Sequence, residues 1–331
     1  MYNSNISVDK NGNIVASTEY KGLVAFYLKK NNVVVEKKFY EKKSEYTFKD
    51  KFSSGIFSIR FFFKKDDNTI VKYETDLYLF NAKDISLEKV RGKVIKEKED
   101  YKITYYDRNS NITFVTFNGT KTTKKTIPFG LSIAMVNNWN LISVAQDNDT
   151  QYQSLSLEEF HEAVKPVIAD KDVYAYGASL GGYCTLYFGG CIDATIIAAS
   201  PKNSAHPSIG RAKFKNLKFN HKSFGAIPAT SKKVYIVYDS AIETDSKFIN
   251  EYISLAYPHP ELLPIEHGTH MVLQTMLKAG VLKLYVNSIV DKRYGYNISK
   301  YIRAKCKYSQ EENKEAFDLL ESIVKEKLEI H

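Results

Sequence analysis

Cysteine is scarce in this chain: Cys184, Cys191 and Cys306 are the only three among 331 residues. An odd count with no Cys-x-x-Cys and no Cys/His ligand spacing argues against a disulfide framework or a metal module. Long apolar runs are missing too, and nothing approaches the roughly 20 residues that span a bilayer, so no transmembrane segment is expected. Met1-Tyr-Asn-Ser-Asn-Ile-Ser-Val8 carries neither a basic n-region nor an apolar h-region, so the sequence predicts no signal peptide and a cytoplasmic location. There is no internal repeat and no low-complexity linker. Helix-turn-helix, RNA-binding aromatic and zinc motifs are likewise absent, so nucleic acid is not an expected partner. What the chain has in excess is positive charge, a formal +9, on an ordinary background of 44% hydrophobic and 26% charged residues. That balance either favours anionic partners, or reflects lysines spread over a solvated surface.

The chain is organised around Val173-Tyr-Ala-Tyr-Gly-Ala-Ser-Leu-Gly-Gly-Tyr183. A short apolar run ending at Tyr176 reads as a buried strand, Gly177-Ala-Ser-Leu-Gly181 fits Gly-x-Ser-x-Gly, and an apolar helix-like segment follows to Phe188. Strand, tight turn and helix are the context of a nucleophile elbow, with Ser179 at its apex and a helix N-terminus beside it. The other reading of the pattern is a glycine-rich structural turn.

Around this stretch the sequence predicts two domains. Residues 1–85 contain short β-branched or aromatic runs (Leu23–Leu28, Val33–Val35, Tyr46–Phe48, Ile56–Phe63, Leu77–Phe80) separated by turn residues such as Asn31-Asn32, Ser54-Gly55 and Asp67-Asn68. This spacing predicts a small all-β sandwich of immunoglobulin-like type, serving as an accessory domain. Residues 86–99 are charged and read as a connector. From residue 100 to 331, apolar strands alternate with helices, which predicts an α/β domain with a mostly parallel sheet covered on both faces. Ser156-Leu-Glu-Glu159 is a capping-box start for one of its helices. Residues 312–328 show helical spacing and predict a C-terminal helical extension.

A serine hydroxyl needs a base in reach and an acid to orient that base. In the order Ser, acid, His, the acid belongs in the loop after Val234–Tyr238. Asp239, Glu243 and Asp245 are available there, with Asp245 preferred and Asp239 the alternate. Glu266-His-Gly-Thr-His270 then offers two histidines, of which His270, at a loop-to-helix transition, is preferred over His267. His221 and the remaining histidines read as structural or surface residues. Two N–H donors must receive an oxyanion. The backbone of Leu180 is one, and the loop Asn118-Gly119-Thr120 after a strand is the expected source of the other; an ordinary Asn-Gly turn is the alternative reading of that loop.

The elbow, the order Ser179, Asp245, His270 and the strand-helix alternation resemble the α/β-hydrolase superfamily over roughly residues 100–295. More narrowly, Thr116-Phe-Asn-Gly119, Tyr152-Gln153, Tyr176–Tyr183, Ala199-Ser-Pro201 and Gly268-Thr-His270 resemble bacterial capsule and surface-polysaccharide O-acetyltransferases and related serine esterases. The resemblance implies an acetyl group taken from acetyl-CoA onto Ser179 and delivered to a sugar hydroxyl, with no permanently bound cofactor and an anionic glycan or other small acceptor as partner. A carboxylesterase or deacetylase, and a catalytically silent glycan-binding or assembly protein, are the other functions it leaves open. Asn118-Gly119 stands where many lipases and esterases have His-Gly, a departure that counts against a lipase.

Overall fold

The structure, a computed structural model, describes residues 2–147 and 149–311. The expected helix over residues 312–328, and His331, lie outside the described residues. The chain forms two compact units, one of residues 2–93 with Tyr106–Ser110 and Leu131–Asn140, the other of Val94–Tyr105, Asn111–Gly130 and the chain from Leu141 onward.

The first unit is antiparallel. β1 (Ser4–Val8), β2 (Ile14–Thr18) and β5 (Glu45–Phe48) make a three-stranded sheet in the order β1-β2-β5. β3 (Leu23–Lys30), β4 (Val33–Glu41), β6 (Gly55–Lys64), β8 (Tyr78–Asn81) and β9 (Ser86–Lys89) make a second in the order β4-β3-β6-β8-β9, with β7 (Ile70–Glu74) paired to β6. The β3–β4 connection is the two-residue turn at Asn31-Asn32, whose φ values of 49° and 68° lie in the left-handed region, the turn geometry that matches the right-handed twist of the flanking strands. Ile6, Ile14 and Phe48 from the smaller sheet share one apolar core with Phe26, Leu28, Phe57 and Phe61 from the larger. Each such side chain contributes about 1.5–3 kcal/mol on burial. The segment 86–99, read from its charge as a connector, instead supplies β9 and another strand, β10 (Lys93–Glu97). Charge misled there because both strands are largely exposed, so their side chains do not have to be apolar. A helix far along the chain, α1 (Leu131–Val136), packs on β6 and β8 through Leu131, Ala134 and Met135.

The second unit is built on an eight-stranded sheet. Its strands are β10, β11 (Tyr101–Tyr106), β12 (Ile112–Phe117), β13 (Asn140–Gln146), β14 (Asp172–Ala178), β15 (Thr195–Ala199), β16 (Val234–Tyr238) and β17 (Glu261–Pro264). They lie in the order β10-β11-β13-β12-β14-β15-β16-β17. Numbered within the sheet this is 1-2-4-3-5-6-7-8, the order of the α/β-hydrolase fold. The five strands from β12 through β17 at the far edge run parallel, with Thr116 opposite Tyr176, Ala178 opposite Ala199, Ala199 opposite Val237, and Val237 opposite Leu263. Every residue of β13 is buried, as are nearly all of β15 and β16, which explains why these strands read as continuous apolar runs. The helices are α2 (Leu157–Ile168), α3 (Leu180–Gly189), α4 (Glu243–Glu251), α5 (Val272–Lys278), α6 (Leu282–Val290) and α7 (Tyr296–Glu311). Ser156 caps α2 by accepting the Glu159 N–H at 3.0 Å. Because the strands run parallel and in register, the residues after β12, β14, β15, β16 and β17 emerge along one edge of the sheet. Crevices at that edge are where open α/β sheets place their ligand sites.

Candidate active site

β14 passes into α3 through a single residue, Ser179, at φ 53° and ψ −118°. A residue bearing a Cβ rarely occupies this region, and holding one there costs about 1–3 kcal/mol unless the surroundings fix it. Here they do. The Ser179 N–H donates to Ala199 O at 2.9 Å, and Ser179 O accepts from Tyr183 N at 2.9 Å and Lys202 N at 3.0 Å. The flanking glycines are demanded by space. A Cβ on Gly177 would lie 2.4 Å from the Gly181 backbone, and one on Gly181 would lie 2.5 Å from Phe117 O. That second approach sets the end of β12, and so the loop that follows it, against the first turn of α3.

The hydroxyl of Ser179 meets the imidazole of His270, with Oγ 2.8 Å from Nε2. On the other side of the ring, Nδ1 lies 2.6 Å from Asp245 Oδ2. An ionised carboxylate can only accept, so Nδ1 carries the hydrogen and Nε2 offers its lone pair to the serine. Asp245 is fully buried in the first turn of α4. Burial raises its pKa, but the hydrogen bond and charge of His270 and those of Lys202 outweigh this and hold the carboxyl below its usual value. The Lys202 ammonium sits 3.1 Å from Asp245 Oδ1 and 2.8 Å from Thr244 Oγ1. The carboxylate is thus held at both oxygens.

Asp239, the alternate acid, does not face the imidazole. It is buried just after β16, where Oδ1 accepts the Ala241 N–H at 3.0 Å and Oδ2 accepts the Thr269 N–H at 2.9 Å. Its carboxylate therefore pins the turn that carries His270. His267, the alternate base, is exposed three residues away, and the ring on Ser179 is that of His270. In this turn the positive φ values fall on His267 (55°) and Thr269 (54°), while Gly268 has φ −68°. Gly268 is there for room, since a Cβ would stand 2.8 Å from Val272 Cγ1.

Opposite the triad-like array lies the loop after β12. The Asn118 N–H is committed to Val144 O at 3.0 Å, so it is not free to receive an oxyanion. Asn118 Oδ1 accepts the Phe129 N–H at 2.8 Å, and Asn118 O accepts the Tyr152 hydroxyl at 2.8 Å. The Gly119 carbonyl is held by Gln146 Nε2 at 3.0 Å and Thr122 Oγ1 at 2.7 Å. Among the described residues the Gly119 N–H has no hydrogen-bond acceptor, and Leu180 N–H, first in α3, is one of the helix's open donors. Asn118 thus shapes the loop, and the N–H groups left open beside Ser179 are those of Gly119 and Leu180.

One contributor had no readable signal in the sequence. Lys202 is one lysine among many, and only the parallel pairing of β15 with β16 brings it to Asp245. His221 is buried, bonded to the Tyr183 hydroxyl at 2.9 Å and to Tyr152 O at 3.0 Å, and stacked on Tyr187 with centroids 4.1 Å apart. Burial, the main cause, pushes its pKa down to about 4, so the ring is neutral and structural.

No protein-family model and no curated protein sequence matches the chain. Among solved structures, the capsule O-acetyltransferase of Neisseria meningitidis serogroup A is similar at 12% identity, covering 61% of this chain and 95% of that one, with a TM-score of 0.45. A variant of that enzyme in complex with CoA is similar at 13% identity, covering 59% and 93%, with a TM-score of 0.42. An alpha/beta hydrolase enzyme from the metagenome of lagoon sediments at Mar Chica, Morocco, is similar at 11% identity, covering 61% and 99%, with a TM-score of 0.38. Among the described residues no helix is long and apolar enough to cross a membrane.

Proposed function

We propose that the chain is a serine acyltransferase that moves an acetyl group from acetyl-CoA to a hydroxyl of a bacterial surface or capsular glycan. The observation that carries this reading is the continuous relay Asp245–His270–Ser179, 2.6 and 2.8 Å long, ending on a serine held at φ 53°. A silent protein that kept only the fold has no reason to keep that relay and that strain together.

In the first half-reaction His270 Nε2 takes the Ser179 hydroxyl proton as Oγ attacks the thioester carbonyl. The carbonyl oxygen gains the negative charge and is received by the Leu180 and Gly119 N–H groups. Collapse breaks the carbon–sulfur bond, His270 returns its proton to the thiolate, and acetyl-Ser179 and free CoA result. In the second half-reaction the glycan hydroxyl gives its proton to His270 and attacks the acetyl-serine, and the proton returns to Ser179. Asp245 keeps the Nδ1 hydrogen in place and stabilises the imidazolium in both halves. The donor thioester is intracellular, in keeping with a cytoplasmic location. We read the antiparallel unit as an immunoglobulin-like accessory module that serves the acceptor.

The test is to incubate the protein with acetyl-CoA and weigh it intact beside Ser179→Ala. An added acetyl group on the wild type alone is the expected result. Release of 4-nitrophenol from a simple acetate ester, with no acetyl adduct from acetyl-CoA, would make the protein a hydrolase. Absence of both would refute the catalytic reading.

A further inference from the structure

One stretch that reaches the site carries positive charge with no acid to offset it. From Ala194 to Tyr238 there are eight Lys or Arg residues and not one Asp or Glu. An even spread of the chain's 38 acidic residues would put about five there, so the segment departs from a randomly lysine-rich surface. The loop from Gly119 to Gly130 likewise carries Lys121, Lys124 and Lys125 and no carboxylate.

The acid-free segment is anchored to the site at two places. At its start, Lys202 donates its backbone N–H to Ser179 O and its ammonium to Asp245. Further along, Lys213 pairs with Asp149, whose other oxygen accepts the Lys121 N–H at 2.9 Å. Lys121 is two residues beyond Gly119, so the middle of the segment is tied to the oxyanion-side loop. Lys222, Lys232 and Lys233 are answered by Glu158, Asp193 and Glu261. Arg211, Lys215 and Lys218 are exposed and have no carboxylate partner among the described residues. Three cations on a short stretch, flanking the anchored Lys213 and left without counter-charge, form an anion-binding surface.

We propose that Arg211, Lys215 and Lys218 receive the phosphate groups of the acyl donor, so that a phosphate-bearing thioester is preferred over a neutral acyl ester. The proposal deepens the acyl-transfer reading and rests on it for the identity of the donor. Guanidinium and ammonium groups suit phosphate oxygens, and an exposed surface suits a ligand that must leave after each acylation.

The test compares wild type with Arg211→Gln/Lys215→Gln/Lys218→Gln, a triple change confined to exposed side chains. With acetyl-CoA the variant is expected to need about tenfold more donor, or beyond, for half-maximal acylation, from lost charge-assisted contacts. With S-acetylpantetheine, which carries no phosphate, and with 4-nitrophenyl acetate, the two proteins should match. Direct titration with CoA by calorimetry should show the same weakening without any chemistry, and CoA binding to the wild type should weaken with added salt. Equal CoA affinity in the two proteins would overturn the proposal. Unchanged use of acetyl-CoA with loss of transfer only to an anionic polysaccharide would also overturn it, by assigning the surface to the acceptor. If no donor acylates the wild type while CoA still binds through these three residues, the acyl-transfer reading fails and the phosphate site stands.

Discussion

Replacing Asp245 by asparagine should disable the site through the wrong tautomer of His270, and Lys202 decides this. The carboxylate now meets the Lys202 ammonium at Oδ1, 3.1 Å away, and His270 Nδ1 at Oδ2, 2.6 Å away. An amide has one acceptor and one donor to share between them. Lysine has only hydrogens to give, so the amide oxygen turns to Lys202 and the NH2 turns to Nδ1. Nδ1 must then accept, the ring proton moves to Nε2, and the serine hydroxyl faces a hydrogen instead of a lone pair. Loss of the correct tautomer in such triads lowers kcat by about 10⁴, or about 5 kcal/mol of barrier. The opposite amide orientation would forfeit a charge-assisted bond of about 1.5–3 kcal/mol, a bias of about 10- to 100-fold. Adding Lys202→Met removes the bias and lets the amide oxygen turn to Nδ1. The double variant should therefore acylate about 10- to 100-fold faster than Asp245→Asn alone. Single-turnover acylation by 4-nitrophenyl acetate reads both proteins. A double variant no faster than the single one, or an Asp245→Asn enzyme within tenfold of wild type, would refute the reasoning.

Two further outcomes follow from the same geometry. Asp239→Ala should lower kcat by about 10- to 100-fold with little change in KM, because Thr269 at φ 54° loses the charged acceptor that fixes the His270 turn; a kcat equal to wild type would make that contact incidental. His221, pushed by burial from the usual 6.5 to about 4, binds a proton more readily in the unfolded chain than in the folded one between those values. Its contribution, about 3 kcal/mol, is complete above pH 6.5 and is lost as pH falls toward 4. Urea unfolding of His221→Phe across that range should show a flatter dependence of stability on pH than wild type, and an unchanged slope would place the titrating group elsewhere.

Much of the fold was legible because it is written in local rules. Continuous apolar runs as short and β-branched as Thr195–Ala199 and Val234–Tyr238 read as strands covered on both faces. Gly177 and Gly181 around Ser179 mark a place where backbones approach too closely for a Cβ. The short strands of the first unit were visible in their β-branched and aromatic runs, and the Asn31-Asn32 turn in its residue types. Strands β9 and β10 were not, because an exposed strand need not be apolar.

The order Ser179, Asp245, His270 along the chain was likewise readable, since local context points to a serine on an elbow and to histidines and acids in later loops. Sequence alone could only rank Asp245 against Asp239 and His270 against His267, because the members of each pair are six or fewer residues apart and the preference depends on angles set by distant strands. Parallel pairing of β14, β15, β16 and β17 in register decided the matter: it aims Asp245 at the imidazole and turns Asp239 to the Thr269 N–H. The same pairing delivers Lys202 to the acid, while the placing of β12 beside β13 commits the Asn118 N–H to Val144 and leaves the Gly119 N–H open. Residue type and spacing determined which groups were available for the chemistry. Which of them meet was decided by the sheet, because hydrogen bonds of 2.6 to 2.8 Å between residues up to 91 positions apart exist only once non-local strands have paired.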